Sequence, residues 1–263
     1  MKKVYTKKQE EIYQLFLKYK KRRNMEYIKR LGISSKDLEP DYNKKLAIIV
    51  PYRDNPEQNR KKQLEIFTTH VNKMFEGKNW SLYVIEQSDD GKKFNKGALL
   101  NIGITMALKD GCKLLATNDV DLLPQSDLVP FYFLYSIYHP IHLGHVWQDK
   151  YKYREFVGGI ILLSDFCAKK INGFPNNFWG WGGEDDALYD RILANNFQIY
   201  EPLDGKIVEL KHIHTYTIKK YVNNNKKENL LKDLLYWKEN GLFNVKFEIK
   251  NKQNNIYTVI IKK

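Results

Sequence analysis

Residues 178–186 read FWGWGGEDD. Glu184, Asp185 and Asp186 place three carboxylates in a row, a residue type able to serve as a general base. Adjacent carboxylates raise one another's pKa. If the run enters a helix through EDDALYDRIL, the helix N-terminus favours the charged forms instead. The two effects oppose each other, and the sequence does not sign their sum. An acidic helix start behind a pair of core tryptophans explains the same residues without any chemistry.

A second acidic pair lies in NDVDLLP. In an extended chain Asp119 and Asp121 point to one side. Two carboxylates that converge after an apolar strand need a cation between them. Oxygen ligands suit Mg²⁺ or Mn²⁺. A solvated turn or a helix cap is the plainer reading. Far downstream, LKHIHTY carries His212 and His214 at the same alternate spacing, in a chain with 6 histidines. Imidazole added to carboxylate favours Mn²⁺ over Mg²⁺.

These residues need elements to position them. KLAIIVPYRD (45–54) is an apolar run, the pattern of a buried strand. Helical spacing follows over 56–75, where Leu64, Phe67, Val71 and Phe75 share a face and Pro56 marks the start. A strand at 80–87, a helix at 95–111 ending at Gly111, and a strand at 113–124 complete a β-α-β-α-β order. That order predicts a largely parallel sheet with right-handed crossovers. Such sheets bind ligands at the carboxyl ends of their strands, where Tyr52, Arg53, Glu86, Asp119 and Asp121 fall. Gly158 and Gly159 are compatible with a strand bulge.

The chain has 263 residues, 43% of them hydrophobic and 14% aromatic, which excludes a disordered protein despite a net charge of +13. Residues 1–30 hold eleven Lys or Arg against three Glu. Tyr5, Ile12, Leu15, Phe16, Tyr19, Tyr27, Ile28 and Leu31 recur there at helical spacing. The expected organisation is a basic amphipathic helical segment over 1–43 and a catalytic domain over 44–263. The segment is either a solvated helix packed on the domain or an attachment to an anionic membrane. No nucleic-acid partner is expected. Cys112 and Cys167 read as free buried thiols. No apolar stretch is long enough to span a bilayer and no signal-peptide pattern is present, so the expectation is a cytoplasmic protein, peripheral at a membrane if the basic helix attaches. NNNKKEN (223–229) and KNKQNN (250–255) read as exposed loops or turns.

The segments IIVPYRDN, FNKGALLNIG, NDVDLLP, VGGIILLS, INGFPNNFWGWGGEDD and HIH stand in the order seen in the beta-1,4-galactosyltransferases, glycosyltransferase family 7. Over roughly residues 45–249 the chain resembles that family. The VGGIILLS, KHIH and GLFNVKFEI segments are most similar to its xylosylprotein branch. The resemblance implies an α/β GT-A fold: a mostly parallel central sheet flanked by helices. It implies Mn²⁺-dependent inverting transfer of a hexose, galactose first, from a UDP-sugar to a glycan or glycoconjugate hydroxyl, in a beta, expected beta-1,4, linkage. By the same resemblance Asp185 is the catalytic base. Glu184, Asp186, Trp181, Phe156, Gly158 and Gly159 surround the donor and acceptor sugars. Pro51, Tyr52, Arg53, Phe94, Asp119 and Val120 line the nucleotide. Asp121, His212 and His214 hold the metal. Beside sugars the aromatics make sense, because a pyranose offers a C–H face that packs on indole. Gly180, Gly182 and Gly183 free the Trp181 loop to swing, and a segment at about 215–226 is expected to fold over after it.

Two residues depart from the family pattern. Phe156 stands where most relatives have tyrosine, which removes a hydroxyl near the sugar and leaves UDP-GalNAc and UDP-glucose as alternative donors. Asn55 stands where a basic residue is common. Two other classes fit the same residues: a metal-dependent hydrolase of phosphodiesters or nucleotide sugars, and a non-catalytic module binding polyanions.

Overall fold

The computed structural model describes Gln14, Leu17 and residues 28–150, 153–211, 213 and 217–262, with the backbone alone at 148–150. Strand β2, Leu46–Tyr52, is buried along its whole length. Its side chains alternate between two cores: Leu46, Ile48 and Val50 enter one, Ala47 and Ile49 the other. A strand covered on both faces must be apolar throughout, which explains the unbroken run.

Around β2 the strands β3 (Trp80–Gln87), β4 (Leu114–Asn118), β6 (Ile160–Ser164), β9 (Phe247–Gln253) and β10 (Ile256–Ile261) form one sheet in the order β6-β4-β2-β3-β10-β9. β4, β2, β3 and β10 run parallel, while β6 and β9 are antiparallel edges. Helix α1, Arg60–Met74, packs Leu64, Phe67 and Val71 into one core, and α2, Lys96–Lys109, fills the other. Both crossovers thus bring their helix starts back to the carboxyl ends of the strands. Beyond the sheet the short helices α3 (Val129–Tyr132) and α4 (Asp165–Lys170) precede α5 (Glu184–Ala194) and α6 (Lys226–Tyr236).

Four expectations change. The span 56–75 is not one helix: a 3-10 turn at Pro56–Gln58 is capped by Asn55, and left-handed Asn59 separates it from α1. The strand expected over 113–124 breaks at Asp119–Asp121, which form a turn, and β5 (Leu122–Pro124) leaves to pair with β8 (Ile207–Glu209). Buried Asn118 explains the break, since its amide donates to the carbonyls of Asp119 and Leu122 at 2.8 and 3.1 Å. Residues 250–253 belong to edge strand β9, and 226–229 open α6. Finally, Gln14 and Leu17 of the 1–43 segment are helical, but its later part includes a strand. β1, Arg30–Ile33, lies parallel to β7, Ile199–Pro202, and Ile28 is buried in the domain core.

Cys112 and Cys167 are free and buried, as expected. Among the described residues no helix is long and apolar enough to cross a membrane.

Candidate active site

At the carboxyl ends of β2 and β4 a cavity of about 560 Å³ opens. Most residues named from the sequence line it. Pro51, Tyr52, Arg53, Phe94, Asp119, Val120, Asp121, Phe156, Gly159, Trp181 and the Glu184–Asp186 run are all among its lining residues. Glu86 does not join them, because its carboxylate accepts from the Thr258 hydroxyl at 2.7 Å on β10. His212 and His214 lie outside the described residues. Their neighbours Lys211 and Ile213 are held by their carbonyls, to Gln63 Nε2 at 3.5 Å and Gln58 Nε2 at 2.8 Å.

The three acids begin α5, directly after Gly183. Gly180, Gly182 and Gly183 all sit in the left-handed region, with φ of 96°, 102° and 107°, so the approach to the helix needs glycine. Burial raises the Asp185 pKa most. Lys96 opposes it, Glu184 and Asp186 add to it, and the carboxyl ends at about 7. The net shift that the sequence left unsigned is upward, with burial its largest cause.

Lys96 is the site residue that sequence reasoning missed. It is the first residue of α2, after Asn95, which caps the helix by accepting from Ala98 N at 3.0 Å. Its ammonium lies 3.0 Å from Asp119, 3.7 Å from Glu184 and 3.9 Å from Asp185. Burial pulls its pKa down, but Asp119, Asp185 and Glu184 together hold it well above the usual lysine value. Asp119 is raised by burial first, against the pull of Lys96. Two more cations complete the set: Arg60 on Asp121 at 2.8 Å and Lys226 on Asp186 at 2.7 Å. The turn delivers each aspartate of the D-x-D pair to a different basic side chain. The motif FNKG held a signal for Lys96, two residues past Phe94. Nothing local marks Arg60 or Lys226.

The floor of the cavity is Phe156–Gly159. Gly159 bonds Asp119 through its carbonyl, N···O 3.0 Å. Buried His142 donates from Nε2 to the Gly158 carbonyl at 3.0 Å. Arg30 donates to the carbonyls of Arg154 and Phe156 while pairing with Glu201. Phe156 is buried, its ring 5.4 Å from His142 and 5.6 Å from Tyr153. A Cβ on Gly158 would stand 2.5 Å from Asp185 Oδ2 and 2.8 Å from the Phe156 ring. Gly158→Ala must therefore displace the Asp185 carboxylate. We expect turnover to fall about a hundredfold, the scale of a 1 Å misplacement, with little change in melting temperature. Steady-state kinetics beside a thermal melt check this.

Over the cavity, Trp181 is 42% exposed. Its N–H donates to Tyr221 O at 2.7 Å and its carbonyl accepts from Asn223 N at 3.0 Å. The two segments expected to close over the site are thus joined backbone to backbone. Lys220, next to Tyr221, pairs with Glu57 at 2.7 Å.

The described lining residues hold four cations, Arg53, Arg60, Lys96 and Lys226, against six carboxylates, the five named and Glu209. That excess suits a divalent cation beside Asp121. Among the described residues no group of three His, Cys, Asp or Glu side chains is arranged to hold a metal ion.

Comparison with known proteins agrees with this geometry. A family model described as the N-terminal region of glycosyl transferase group 7 matches residues 8–133. One described as the N-terminal domain of galactosyltransferase matches 139–215. The first begins well before residue 45, so the likeness takes in much of the basic segment as well. The chain is 37% identical over 171 residues to the xylosylprotein 4-beta-galactosyltransferase of Caenorhabditis elegans, covering 64% of this chain and 56% of that protein. It is 33% identical over 220 residues to human beta-1,4-galactosyltransferase 4, covering 80% of this chain and 60% of that protein. The chain therefore spans little more than half the length of these relatives. Among solved structures it resembles the catalytic domain of Drosophila beta-1,4-galactosyltransferase 7 in complex with xylobiose. There the TM-score is 0.67 and the identity 30%, covering 83% of this chain and 92% of that one. A mutant of the same enzyme, solved with manganese, UDP-Gal and xylobiose, aligns with a TM-score of 0.66.

Proposed function

Because the chain belongs to the beta-1,4-galactosyltransferase family and has its GT-A fold, we propose that it transfers galactose from UDP-galactose to a glycan hydroxyl, inverting the anomeric centre. The observation that carries this is the placement of Asp185. A carboxyl poised near neutrality faces Lys96 and Asp119 in a cavity whose far wall, Arg53 and Phe94, suits a nucleotide. A base with a pKa near the working pH is the efficient one.

In this reading Asp185 takes the proton of the acceptor hydroxyl as that oxygen attacks the anomeric carbon, and the bond to UDP breaks on the opposite face. Asp121, with His212 and His214, would hold Mn²⁺, which would supply the positive charge that lets the diphosphate leave. Phe94 stacks the base of the nucleotide, with the Arg53 guanidinium 5.7 Å from its ring and fixed by the Lys92 carbonyl at 2.8 Å. Lys96 holds Asp119 toward the donor. Trp181, Phe156 and Trp147 close apolar faces around the sugars and keep water from the donor.

The test is UDP release from a panel of UDP-sugars with Mn²⁺, with and without xylosides, glucose and GlcNAc as acceptors. Release from UDP-galactose that rises with acceptor and vanishes with EDTA is expected. Release that ignores every acceptor supports a hydrolase instead. Binding of a polyanion without turnover supports the non-catalytic reading.

The net charge of +8 over residues 1–30 supports peripheral attachment to an anionic membrane. Co-sedimentation with phosphatidylserine vesicles, falling steeply with salt, is the expected outcome. No binding at low salt removes this part of the reading.

A further inference from the structure

Arg60 has no role in the reading so far, yet its surroundings are specific. It is the first residue of α1, set there by left-handed Asn59 and by its own N–H on the Asn55 carbonyl. Its guanidinium is mostly buried, with the side chain 15% exposed. Nη1 donates to Asp121 Oδ2 and to Gln63 Oε1, both at 2.8 Å. Gln63 in turn donates to the Lys211 carbonyl. Arg60 thus rests on the aspartate assigned to the metal, beside the strand that leads to His212 and His214.

The other cations of the cavity are committed elsewhere. Lys96 is held by three carboxylates, Lys226 by Asp186, and Arg53 by the Lys92 carbonyl and the Phe94 ring. Asn55, which stands where the family commonly has a basic residue, cannot supply charge. Its Oδ1 accepts from Glu57 N and its Nδ2 donates to Gln58. Arg60 lies in the same cavity wall as Asn55.

We propose that Arg60 is a positioning residue that makes metal binding and diphosphate binding depend on each other, supplying from α1 the charge that Asn55 lacks. This rests on the UDP-sugar reading above. With no nucleotide present, the guanidinium competes with Mn²⁺ for the Asp121 carboxylate and repels it. When the diphosphate arrives, the fork pairs with its oxygens, the geometry arginine suits best, and Asp121 is released to the metal. Each ligand then strengthens the other, and by linkage the factor is the same in either order.

The experiment measures two affinities in the wild-type chain and in Arg60→Gln, without any turnover. Mn²⁺ alone is titrated by the electron paramagnetic resonance signal of the free ion, and UDP is titrated by calorimetry with saturating Mn²⁺. In Arg60→Gln, Mn²⁺ alone should bind about fivefold tighter and UDP about tenfold weaker, so the coupling factor collapses. Arg60→Lys, which keeps the charge and loses the fork, should fall between. Opposite signs are the signature, because a variant that merely loosens the site weakens both ligands. Both affinities falling together, or neither changing, overturns the proposal while leaving the UDP-sugar reading intact. A wild-type chain that binds neither Mn²⁺ nor UDP overturns that reading itself.

Discussion

Asp185→Asn should lower acceptor-stimulated UDP release about a thousandfold or more, while Mn²⁺ and UDP still bind. The residual rate should also lose its pH dependence. In the wild type only the ionised carboxylate is a base. Burial first, with Glu184 and Asp186 behind it and Lys96 against it, places that ionisation at about 7. Activity should therefore rise with unit slope as pH climbs to about 7 and level off above it. The same shift has a stability consequence of defined sign. A carboxyl whose folded pKa lies above its ordinary 3.8 binds its proton more tightly in the folded chain. At acid pH both states are protonated and there is no penalty. Between the two values the unfolded chain ionises and the folded one resists, so stability falls as pH rises and stays lower above 7. The neutral amide escapes this. Asp185→Asn should melt higher than the wild type near pH 8 and nearly level with it near pH 4. A variant that is dead and no more stable at pH 8 removes the claim that this carboxyl's ionisation costs the folded chain stability.

The elements that position Asp185 were legible because they are long and apolar. The run at 45–54 and the repeat of Leu64, Phe67 and Val71 announce a covered strand and its crossover helix, and both are present. The cavity residues were legible as a set because the family motifs carry them together, and the structure converges all the described ones except Glu86 and, at its edge, Gly158. What stayed hidden depends on partners far along the chain. Asp119 and Asp121 read as an extended pair, but the Asn118 amide ties the turn and Tyr132 donates to the Asn118 oxygen at 3.1 Å. Arg30 read as one charge among many on a solvated helix, yet its carboxylate partner is Glu201, 171 residues away. β9 was hidden by composition. Its exposed lysines are those of an edge strand that resists pairing with another molecule, and such a strand looks like a loop. Lys96 and Lys226 were hidden because a lysine does not reveal which acid it meets.

Arg191→Met should destabilise the chain by about 3–5 kcal/mol, lowering the melting temperature by roughly 10 °C. Arg191 is 1% exposed and Asp233 2%. The pair is bidentate, Nε to Oδ2 at 2.9 Å and Nη2 to Oδ1 at 2.6 Å. Nη1 also donates to the carbonyls of Asn172 and Gly173, at 2.8 and 3.0 Å. Removing the arginine leaves a buried carboxylate with its charge unanswered and takes a donor from the carbonyls of Asn172, Gly173 and Asn240. If that is the mechanism, the loss belongs to the unpaired charge and not to missing packing. The double variant Arg191→Met, Asp233→Leu should then recover a large part of it, which denaturant titrations of the three variants measure. A double variant no better than the single one places the cost in packing or in the carbonyls. The pair matters to the chemistry because of where it stands. Arg191 lies in the same helix as Asp185, and it fastens that helix to α6, whose first residue is Lys226 on Asp186. A loosened α5 carries the base and both of its acidic neighbours. Below the melting transition, Arg191→Met should therefore lose turnover while the double variant regains it together with its stability.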